Sequence, residues 1–405
     1  MVQLKGPRLG WWLQSTFRCG VTSIKAFPSL VNMTAKMKRN REEIGSLGIH
    51  NHSFSSTVQS LSEYEHDNVP DEGKITQKNA ALRLALSRVA SEVDQESMLS
   101  LKQFFGSRHA PTVSTGSLKL DIALGIGGLP KGRITEIYGQ EASGKTTLAL
   151  HIIREAQRLG GYCAYLDAEN ALNSSFAEAI GVNTEKLLVA RPNSAENMLC
   201  MVDMLTKSGS VDVVVVDSVA ALVPQSELDN VMGGSEVQSQ SLLMTKALRK
   251  IHSSLCRSQT MLIFVNQVRS RPCGGLRPAE EISCGGNALK FYAAVRMRMI
   301  RQGLLRTGEE VTGLSVSVQV VKHKLSTQLK KAELEIRFGK GIFCEAEVFD
   351  MACEHGVILK MDSGYFIEGV ILKDKQEAIR YLSRNREILD KLAAMLRNQF
   401  FELNL

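Results

Sequence analysis

The segment from Gly139 to Thr146 constrains the fold of this chain more than any other part of the sequence. It reads Gly-Gln-Glu-Ala-Ser-Gly-Lys-Thr, a complete G-x-x-x-x-G-K-T phosphate-binding loop. A short apolar run, Ile134 to Tyr138, precedes it, and Leu148, Ile152 and Ile153 continue a helical face behind it. In such a unit the glycines let the backbone curl so that its N–H groups face phosphate oxygens. The segment predicts a nucleoside triphosphate site; the alternative is a glycine-rich turn that fits the pattern by chance.

Three further apolar runs are each followed directly by acidic or amide side chains. The runs are Cys163 to Leu166, Val211 to Val216, and Met261 to Val265. Because the runs are apolar apart from Asp212 and helical segments join them, they predict an α/β fold with a mostly parallel sheet covered by helices on both faces. Ligands of such sheets bind beyond the carboxyl ends of the strands, where these polar side chains fall.

Five residues of these segments are candidates for nucleotide chemistry. Lys145 is expected to reach the β- and γ-phosphates, and the Thr146 hydroxyl to ligate Mg²⁺. Asp217 ends its run as the carboxylate that organises the metal and its waters. Glu169 is placed to orient and deprotonate an attacking water, although it could instead cap the next helix. Gln267 could sense the γ-phosphate by a hydrogen bond, and an ordinary strand-end amide is the alternative.

The positive charge of the chain is concentrated at its start. The net charge is +7, but residues 1–41 hold eight Lys or Arg and no acid, which leaves 41 basic and 42 acidic residues in the rest. Basic, aromatic and hydroxyl residues without acids are typical of an organelle transit peptide, and we expect a mitochondrial or, alternatively, a chloroplast address. The competing interpretation is a basic arm that stays on the protein and contacts nucleic acid.

The rest of the chain divides by composition. Residues 42–76 are polar and read as a linker, and residues 77–110 begin with an amphipathic helix, Lys78 to Val93, that has one face to bury. We expect the ATPase core over 111–343 and a small C-terminal domain over 344–405. Further strands are expected at Leu314 to Val321 and Ala332 to Phe338, a hairpin at Gly364 to Ile371, and one charged helix from Glu377 to Phe400.

The sequence predicts neither a cysteine-based metal or redox site nor a membrane-spanning segment. None of the eight cysteines falls in a C-x-x-C pair, so neither a zinc knuckle nor a redox motif is indicated. No apolar run approaches the roughly 20 residues that a membrane span needs, so no membrane partner is expected.

Five stretches of sequence carry a specific resemblance. They are STGSLKLDIALGIGGLPKGRITEIYGQEASGKTTL (114–148), CAYLDAENAL (163–172), VDVVVVDSVAALVP (211–224), LIFVNQVRS (262–270) and GGNALKFYAAVR (285–296). Together they resemble the bacterial-type RecA recombinase family, over about residues 78–349. With the transit-like leader, the chain looks like an organellar RecA of a plant or alga.

The resemblance implies a RecA-type P-loop ATPase core, an N-terminal polymerisation helix and a small C-terminal α/β domain. It further implies a homo-oligomeric helical filament on single-stranded DNA that pairs with duplex DNA, with ATP and Mg²⁺ between neighbouring subunits. The matching phosphate-loop positions are Gly139, Gln140, Glu141, Ala142, Ser143, Gly144, Lys145, Thr146 and Thr147. Lys322 and Lys324 match the pair that reaches the neighbour's γ-phosphate; a solvated strand face is their other interpretation.

Three more positions match family contacts to the adenine and its surroundings. Phe176 and Phe338 stand where adenine-contacting tyrosines are common, and Asn173 where an Asp is frequent. Stacking needs only the ring, so both phenylalanines should preserve it, with core packing as the competing interpretation.

By the same resemblance, two loops should contact DNA, near residues 225–238 and 268–285. Gly233 and Gly234 lie in the first loop and Arg269, Arg271 and Arg277 in the second, where the arginines are the expected phosphate contacts. The first loop also carries Glu227, Asp229 and Glu236, and the segment Asp94 to Leu101 is acidic where the family is basic.

These departures leave a second function open beside that of a DNA-dependent ATPase catalysing strand exchange. The alternative is a recombination mediator or structural filament paralogue that binds DNA and ATP without strand exchange. A hexameric helicase sharing the ATPase core is a third interpretation, which the GGNALKF stretch disfavours.

Overall fold

The computed structural model describes residues 80, 81, 84, 111–229, 236–255, 257–271, 280–326, 330–361 and 363–401. The chain divides into two compact units, Met1–Glu92 and Val93–Leu405. In the first unit residues 80, 81 and 84 are helical, within the predicted amphipathic helix. The expected leader, the linker, most of that helix and the segment 94–101 lie outside the described residues.

The second unit is built of strands and helices in alternation. Its strands are β1 (Thr112–Val113), β2 (Leu129–Pro130), β3 (Ile134–Gly139), β4 (Cys163–Asp167), β5 (Leu187–Ala190), β6 (Val213–Asp217), β7 (Met261–Arg271), β8 (Glu280–Ser283), β9 (Val295–Thr307), β10 (Glu310–His323), β11 (Lys331–Arg337), β12 (Gly341–Ile342), β13 (Leu359–Met361), β14 (Gly364–Ile367) and β15 (Val370–Leu372). Its helices are α1 (Leu118–Leu124), α2 (Lys145–Arg158), α3 (Ser174–Ile180), α4 (Ala195–Ser208), α5 (Gln225–Asp229), α6 (Glu236–Leu255), α7 (Ala288–Tyr292), α8 (Cys344–Glu354), α9 (Lys375–Arg384) and α10 (Arg386–Phe401).

The central sheet confirms the predicted fold class. Its strand order is β12-β11-β10-β9-β3-β7-β6-β4-β5, and β8 pairs with β7. Neighbours from β9 to β5 are parallel, whereas β10, β11 and β12 extend the sheet with antiparallel pairs. The carboxyl ends of β3, β4, β6 and β7 therefore meet at one edge, as the polar residues behind each apolar run predict.

Both faces of the central strands β3, β4 and β6 are covered, which explains the apolar runs. In β6, Val213 and Val215 belong to one buried cluster, and Val214 and Val216 belong to the other. Helix α2 contributes to the first cluster, and helices α4 and α6 contribute to the second. Since successive side chains of a strand point to opposite faces, a strand buried on both sides has no polar alternation.

The C-terminal part forms its own small core. Helices α8, α9 and α10 enclose a cluster that includes Phe349, Leu382 and Leu396, and Leu118 of α1 joins it. The predicted strands appear as β10 and β11, and the predicted hairpin appears as β14 and β15.

The prediction of a single helix from Glu377 to Phe400 is wrong. Helix α9 ends at Arg384 and α10 begins at Arg386, because Asn385 leaves the helical region with φ −113° and ψ 76°. The Asn385 side chain donates from Nδ2 to the Tyr381 carbonyl at 2.9 Å. An asparagine that bonds to nearby backbone in this way competes with helix continuation.

Candidate active site

The phosphate loop turns between the last residue of β3 and the first residue of α2. Gly144, which precedes α2, has φ +83°, in the left-handed region that favours glycine. A Cβ at Gly139 would lie 2.3 Å from the backbone oxygen of Met299, so the side chain must be absent there too. Within the loop, the Ser143 hydroxyl donates to the Gln140 carbonyl at 2.8 Å. These contacts hold the loop curled, with the amino end of α2 facing its opening.

Lys145 lies folded into this loop. Its side chain is nearly buried, and Nζ donates to the Gln140 carbonyl at 2.7 Å. Burial lowers the pKa of Lys145, while the charges of Asp217, Glu169 and Glu141 act in the opposite direction. A desolvated ammonium surrounded by carboxylates is suited to exchange its carbonyl partner for phosphate oxygens.

Asp217 at the end of β6 faces the first turn of α2. Its Oδ2 accepts hydrogen bonds from the Thr146 hydroxyl and from the Tyr165 hydroxyl, both at 2.7 Å. Burial raises the pKa of Asp217, and the two hydrogen bonds lower it in part. A hydroxyl and a carboxylate are oxygen ligands, which Mg²⁺ takes together with phosphates and waters, so these residues fit a nucleotide-bound Mg²⁺.

Tyr165 is a site residue that the sequence analysis missed. It lies in β4, its side chain is buried, and burial followed by the charge of Asp217 raises its pKa. The signal was a tyrosine inside an otherwise apolar strand, because a buried phenol usually finds a hydrogen-bond partner.

Glu169 follows β4 and is exposed at the same sheet edge. Its Oε1 accepts from Gln267 Nε2 at 2.9 Å and also from the Ser218 hydroxyl. The alternative that Glu169 caps the next helix is wrong, because Asn173 caps α3 by accepting from the Phe176 N–H at 3.0 Å. The structure thus brings Glu169 and Gln267 together, with Ser218 as a third member that sequence reasoning did not find.

The residue before Gln267 anchors it to the neighbouring strands. Asn266 is fully buried, and its Nδ2 donates to Glu136 of β3 at 2.9 Å and to the Cys284 carbonyl at 3.0 Å. Glu136 is also fully buried and pairs with Arg296 of β9. Since a buried charge and amide are satisfied here by each other, the middle of β7, next to Gln267, is held in one position.

A second connection joins the phosphate loop to the β7–β8 hairpin. Gln140 Nε2 donates to Glu281 Oε1 at 3.1 Å, and Arg298 of β9 pairs with the same carboxylate. Glu281 lies in β8, within the second expected DNA loop near residues 268–285. This contact was not predicted, because nothing in the sequence relates residues 140 and 281.

The two candidate adenine contacts lie in different surroundings. Phe176 is half-buried against the main core, whereas Phe338 is 53% exposed just after β11. Ile336, two residues before Phe338, lies against Gly144: a Cβ added at Gly144 would be 2.4 Å from Ile336 Cδ1. The end of β11 therefore lies beside the phosphate loop, and an adenine role for either ring stays a prediction.

Lys322 and Lys324 are not brought to the phosphate loop of their own subunit. Lys322 of β10 lies opposite Arg296 of β9 in the strand register, and the Lys324 N–H donates to the Ala294 carbonyl at 2.9 Å. Arg296 and Ala294 are in turn level with the amino-terminal half of β3, whereas the phosphate loop follows the carboxyl end of β3. Lys322 Nζ donates to the carbonyl oxygens of Lys290 at 2.6 Å and Phe291 at 3.1 Å.

Of the five predicted DNA contacts, only Arg269 has a described side chain. It is exposed in β7, opposite Ile282 of β8. For Arg271 the backbone alone is described, and Arg277, Gly233 and Gly234 lie outside the described residues. Among helices of the described residues, none combines the length and apolar character needed to cross a bilayer.

Comparison with known proteins agrees with this geometry. Residues 80–343 match the family model of the RecA N-terminal domain. The chain belongs to the RecA family. Its RecA relatives include "DNA repair protein recA homolog 3, mitochondrial" of Arabidopsis thaliana, 47% identical over 348 residues, which cover 85% of this chain and 81% of that protein. "Protein RecA" of Pseudomonas fluorescens is 44% identical over 324 residues, 80% of this chain and 91% of the bacterial protein.

Proposed function

We propose that the chain is a DNA-dependent ATPase that forms filaments on single-stranded DNA and catalyses homologous pairing and strand exchange in the repair of organellar DNA. The observation that carries the proposal is the contact of Gln267 with Glu169, beside the Thr146–Asp217 pair. A nucleotide-sensing amide and a catalytic carboxylate that share a hydrogen bond can link hydrolysis to the strand that leads into a DNA loop.

In this proposal each polar group has one task. Lys145 and the backbone of the phosphate loop would bind the phosphates of ATP, and Thr146 and Asp217 would hold Mg²⁺, which would neutralise phosphate charge. Glu169 orients the attacking water and accepts its proton. Gln267 moves its amide from Glu169 to the γ-phosphate when the nucleotide binds, and β7 carries that change to the β7–β8 hairpin.

Substitution of Glu169 tests the catalytic assignment. Glu169→Gln should leave ATP binding within about twofold while hydrolysis falls on the order of 10²-fold, since a positioned general base contributes 10²–10⁴-fold. Nucleotide binding is measured with a fluorescent ATP analogue, and turnover by phosphate release on single-stranded DNA. Glu178→Gln, an exposed carboxylate of α3, is the matched control. Normal hydrolysis by Glu169→Gln would remove the assignment.

We further propose that Lys322 and Lys324 complete the site of a neighbouring subunit. Their distance from their own phosphate loop supports an action in trans. A filament of equal parts Lys145→Ala and Lys322→Ala/Lys324→Ala subunits should recover about a quarter of wild-type hydrolysis, because one in four head-to-tail contacts joins two intact halves. No activity in the mixture, with both variants still forming filaments, would show that the lysines act within one subunit.

Joint-molecule formation separates strand exchange from the alternative of a mediator or structural paralogue. Purified protein is incubated with circular single strands, homologous linear duplex, ATP and Mg²⁺. We expect joint molecules that disappear with Lys145→Ala. DNA-stimulated hydrolysis without any joint molecules would favour the mediator, whose support is the acidic side chains of the first DNA loop.

We propose import into mitochondria, directed by residues 1–41. The support is the acid-free basic composition of this segment, together with the word mitochondrial in the name of the Arabidopsis thaliana relative. A fluorescent fusion of residues 1–76 should colocalise with a mitochondrial marker in plant cells. A fusion with the eight Lys and Arg of residues 1–41 changed to Gln is the control, and plastid fluorescence of the parent fusion would favour the chloroplast.

A further inference from the structure

A large cavity lies between α2 and the two C-terminal helices α9 and α10, and its lining includes no residue of the phosphate loop, 139–147. Its volume is about 920 Å³, within the 300–1,000 Å³ range of small-molecule sites. We propose that it is a second anion site of this protein, which takes a small ligand carrying several phosphate groups. The proposal concerns a site distinct from the nucleotide site and does not depend on strand exchange.

The first support is the charge of the cavity wall. Eight Lys or Arg side chains line it, against three carboxylates. The difference of +5 contrasts with the chain beyond residue 41, in which 41 basic and 42 acidic residues nearly balance. A concave surface of one sign focuses its field and attracts ligands of the opposite sign.

Three of the eight cations have partners. Arg154 and Arg158 pair with Glu155, and Arg158 also pairs with Asp390. Arg397 is paired with the buried carboxylate of Asp121 behind the wall. Because their charges are already compensated by these carboxylates, Arg154, Arg158 and Arg397 contribute little to the binding of an anionic ligand.

The other five cations supply the unmatched charge. They are Arg337, Lys340, Arg380, Arg384 and Arg386, and within the described part of the chain none of them forms an ion pair. Arg337 lies with its guanidinium carbon 3.3 Å from the centre of the Phe343 ring, which fixes the plane of that fork. Four cationic side chains besides Arg337 therefore line one cavity, in which Glu345 is the one wall carboxylate that is not already engaged in an ion pair among the described residues.

A buried histidine behind the wall experiences the same positive field. His151 accepts from the Ile342 N–H at 2.8 Å through Nε2, and its Nδ1 has no hydrogen-bond partner among the residues that the structure describes. Burial, followed by the charges of Arg154 and Arg386, holds the pKa of His151 well below its ordinary value. The imidazole is therefore neutral at pH 7 and adds no charge that would compete for the ligand.

The residue types indicate phosphate as the ligand group. Four of the five unpaired cations are arginines, whose planar forks bind phosphate oxygens in bidentate fashion. The cavity volume equals a cube of about 10 Å edge, smaller than a duplex whose major groove alone is about 12 Å wide. We therefore assign the cavity to a compact polyphosphate-bearing molecule, for which inorganic tripolyphosphate is the probe.

Calorimetric titration of the full chain with tripolyphosphate tests the site. All proteins carry Lys145→Ala, which removes the phosphate-loop site. The parent should bind one equivalent, and Arg380→Ala/Arg384→Ala/Arg386→Ala should weaken binding at least about tenfold through loss of charge-assisted hydrogen bonds. Arg257→Ala/Arg301→Ala/Arg306→Ala, an exposed triple elsewhere, should stay within about twofold. The variant with Arg→Lys at positions 380, 384 and 386 should have an affinity for tripolyphosphate between those of the two alanine triples. Far-UV circular dichroism checks that every variant is folded.

Three results would overturn the proposal. The parent could fail to bind tripolyphosphate, or both alanine triples could lose affinity equally, which would indicate diffuse attraction instead of a site. In the third, tripolyphosphate would bind neither the parent nor Arg380→Ala/Arg384→Ala/Arg386→Ala, and this triple variant would bind a single-stranded oligonucleotide more weakly than the parent does. That outcome would assign this surface to nucleic acid.

Discussion

At the scale of single residues, the site depends on a few shared oxygens. Asp217 accepts two hydrogen bonds through one oxygen, and Glu169 likewise accepts two through Oε1. Only one donor of each pair, Thr146 or Gln267, was predicted from the sequence. The second donors, Tyr165 and Ser218, help to fix the position of each carboxylate. Substitution of Tyr165 or Ser218 can therefore change the properties of the carboxylate without removing it.

Removal of the Tyr165 hydroxyl should move the acid limb of the pH–rate profile. A hydrogen bond to a carboxylate favours its charged form, so Tyr165→Phe raises the pKa of Asp217 further above its ordinary value. Hydrolysis of ATP measured between pH 5 and 8 should lose activity at a higher pH than in the wild type. Tyr162→Phe, whose side chain is 63% exposed, is the control. An unshifted profile would mean that Asp217 does not depend on this hydroxyl.

The contact between Gln140 and Glu281 should couple DNA binding to hydrolysis. Glu281→Ala breaks its bonds to the phosphate loop and to Arg298, and because Arg298 is half-exposed the loss in stability should stay at or below about 1 kcal/mol. We expect the ratio of hydrolysis with and without single-stranded DNA to fall several-fold. Gln140→Ala should reproduce the change, and Glu333→Ala, on β11, should not. A wild-type ratio in Glu281→Ala would exclude the coupling.

At the scale of elements, the strands were predicted more reliably than the helix ends. β3, β4, β6 and β7 follow from apolar runs because they are buried on both faces and carry no competing pattern. The division of α9 from α10 was not predictable, since the helical spacing of apolar residues continues across Asn385. A contact of one side chain with backbone decided that boundary.

Helix α8 contains a buried carboxyl that should make folding pH-dependent. Burial raises the pKa of Glu347 to about 7, although the Ser117 hydroxyl and the Lys119 N–H donate to it. The folded state therefore binds this proton more tightly than the unfolded state does, and stability falls as pH rises from about 4.5 to about 7. At 1.4 kcal/mol per pKa unit, the loss is on the order of 3 kcal/mol.

Urea unfolding at pH 5 and pH 8 measures this effect. Glu347→Gln should abolish that part of the pH dependence, while Glu354→Gln, exposed at the end of the same helix, should retain it. If the difference in unfolding free energy between the two pH values is unchanged in Glu347→Gln, another group is responsible.

At the scale of the whole molecule, buried polar contacts join the C-terminal helices to the part of the chain that carries the central sheet. Arg397 of α10 pairs with Asp121 of α1 and also donates to the Gly127 carbonyl at 3.2 Å. Asp121 is fully buried and accepts from Thr115 through its backbone N–H at 2.9 Å and its hydroxyl at 2.8 Å. The C-terminal part is thus attached by specific geometry as well as by apolar packing.

Loss of Arg397 should destabilise the protein, and more so at high pH. Burial raises the pKa of Asp121 and the charge of Arg397 lowers it, so Arg397→Met leaves a buried carboxylate without its cation. Because the arginine is 30% exposed, we expect about 2–3 kcal/mol, below the 3–5 kcal/mol of a fully buried pair. The cost should be larger at high pH than at low pH, because a proton on Asp121 removes the buried charge.

The test compares denaturant unfolding of the single and double variants. Asp121→Asn combined with Arg397→Met should recover part of the loss, and Arg257→Met, at an exposed position, should change stability by less than about 0.5 kcal/mol. Additive losses in the double variant would contradict a direct pair.

The sequence by itself determined the phosphate loop, the parallel strands and the family resemblance, because each rests on residues that are contiguous or regularly spaced. Only the tertiary structure decided the partners of the site and the charged cavity. Tyr165 and Asp217 are 52 residues apart, and Gln140 and Glu281 are 141 apart. The five cavity cations that form no ion pair with another described residue likewise come from two distant parts of the chain, 337–340 and 380–386. Contacts at such separations depend on how the sheet and helices pack, and no local pattern in the sequence encodes that packing.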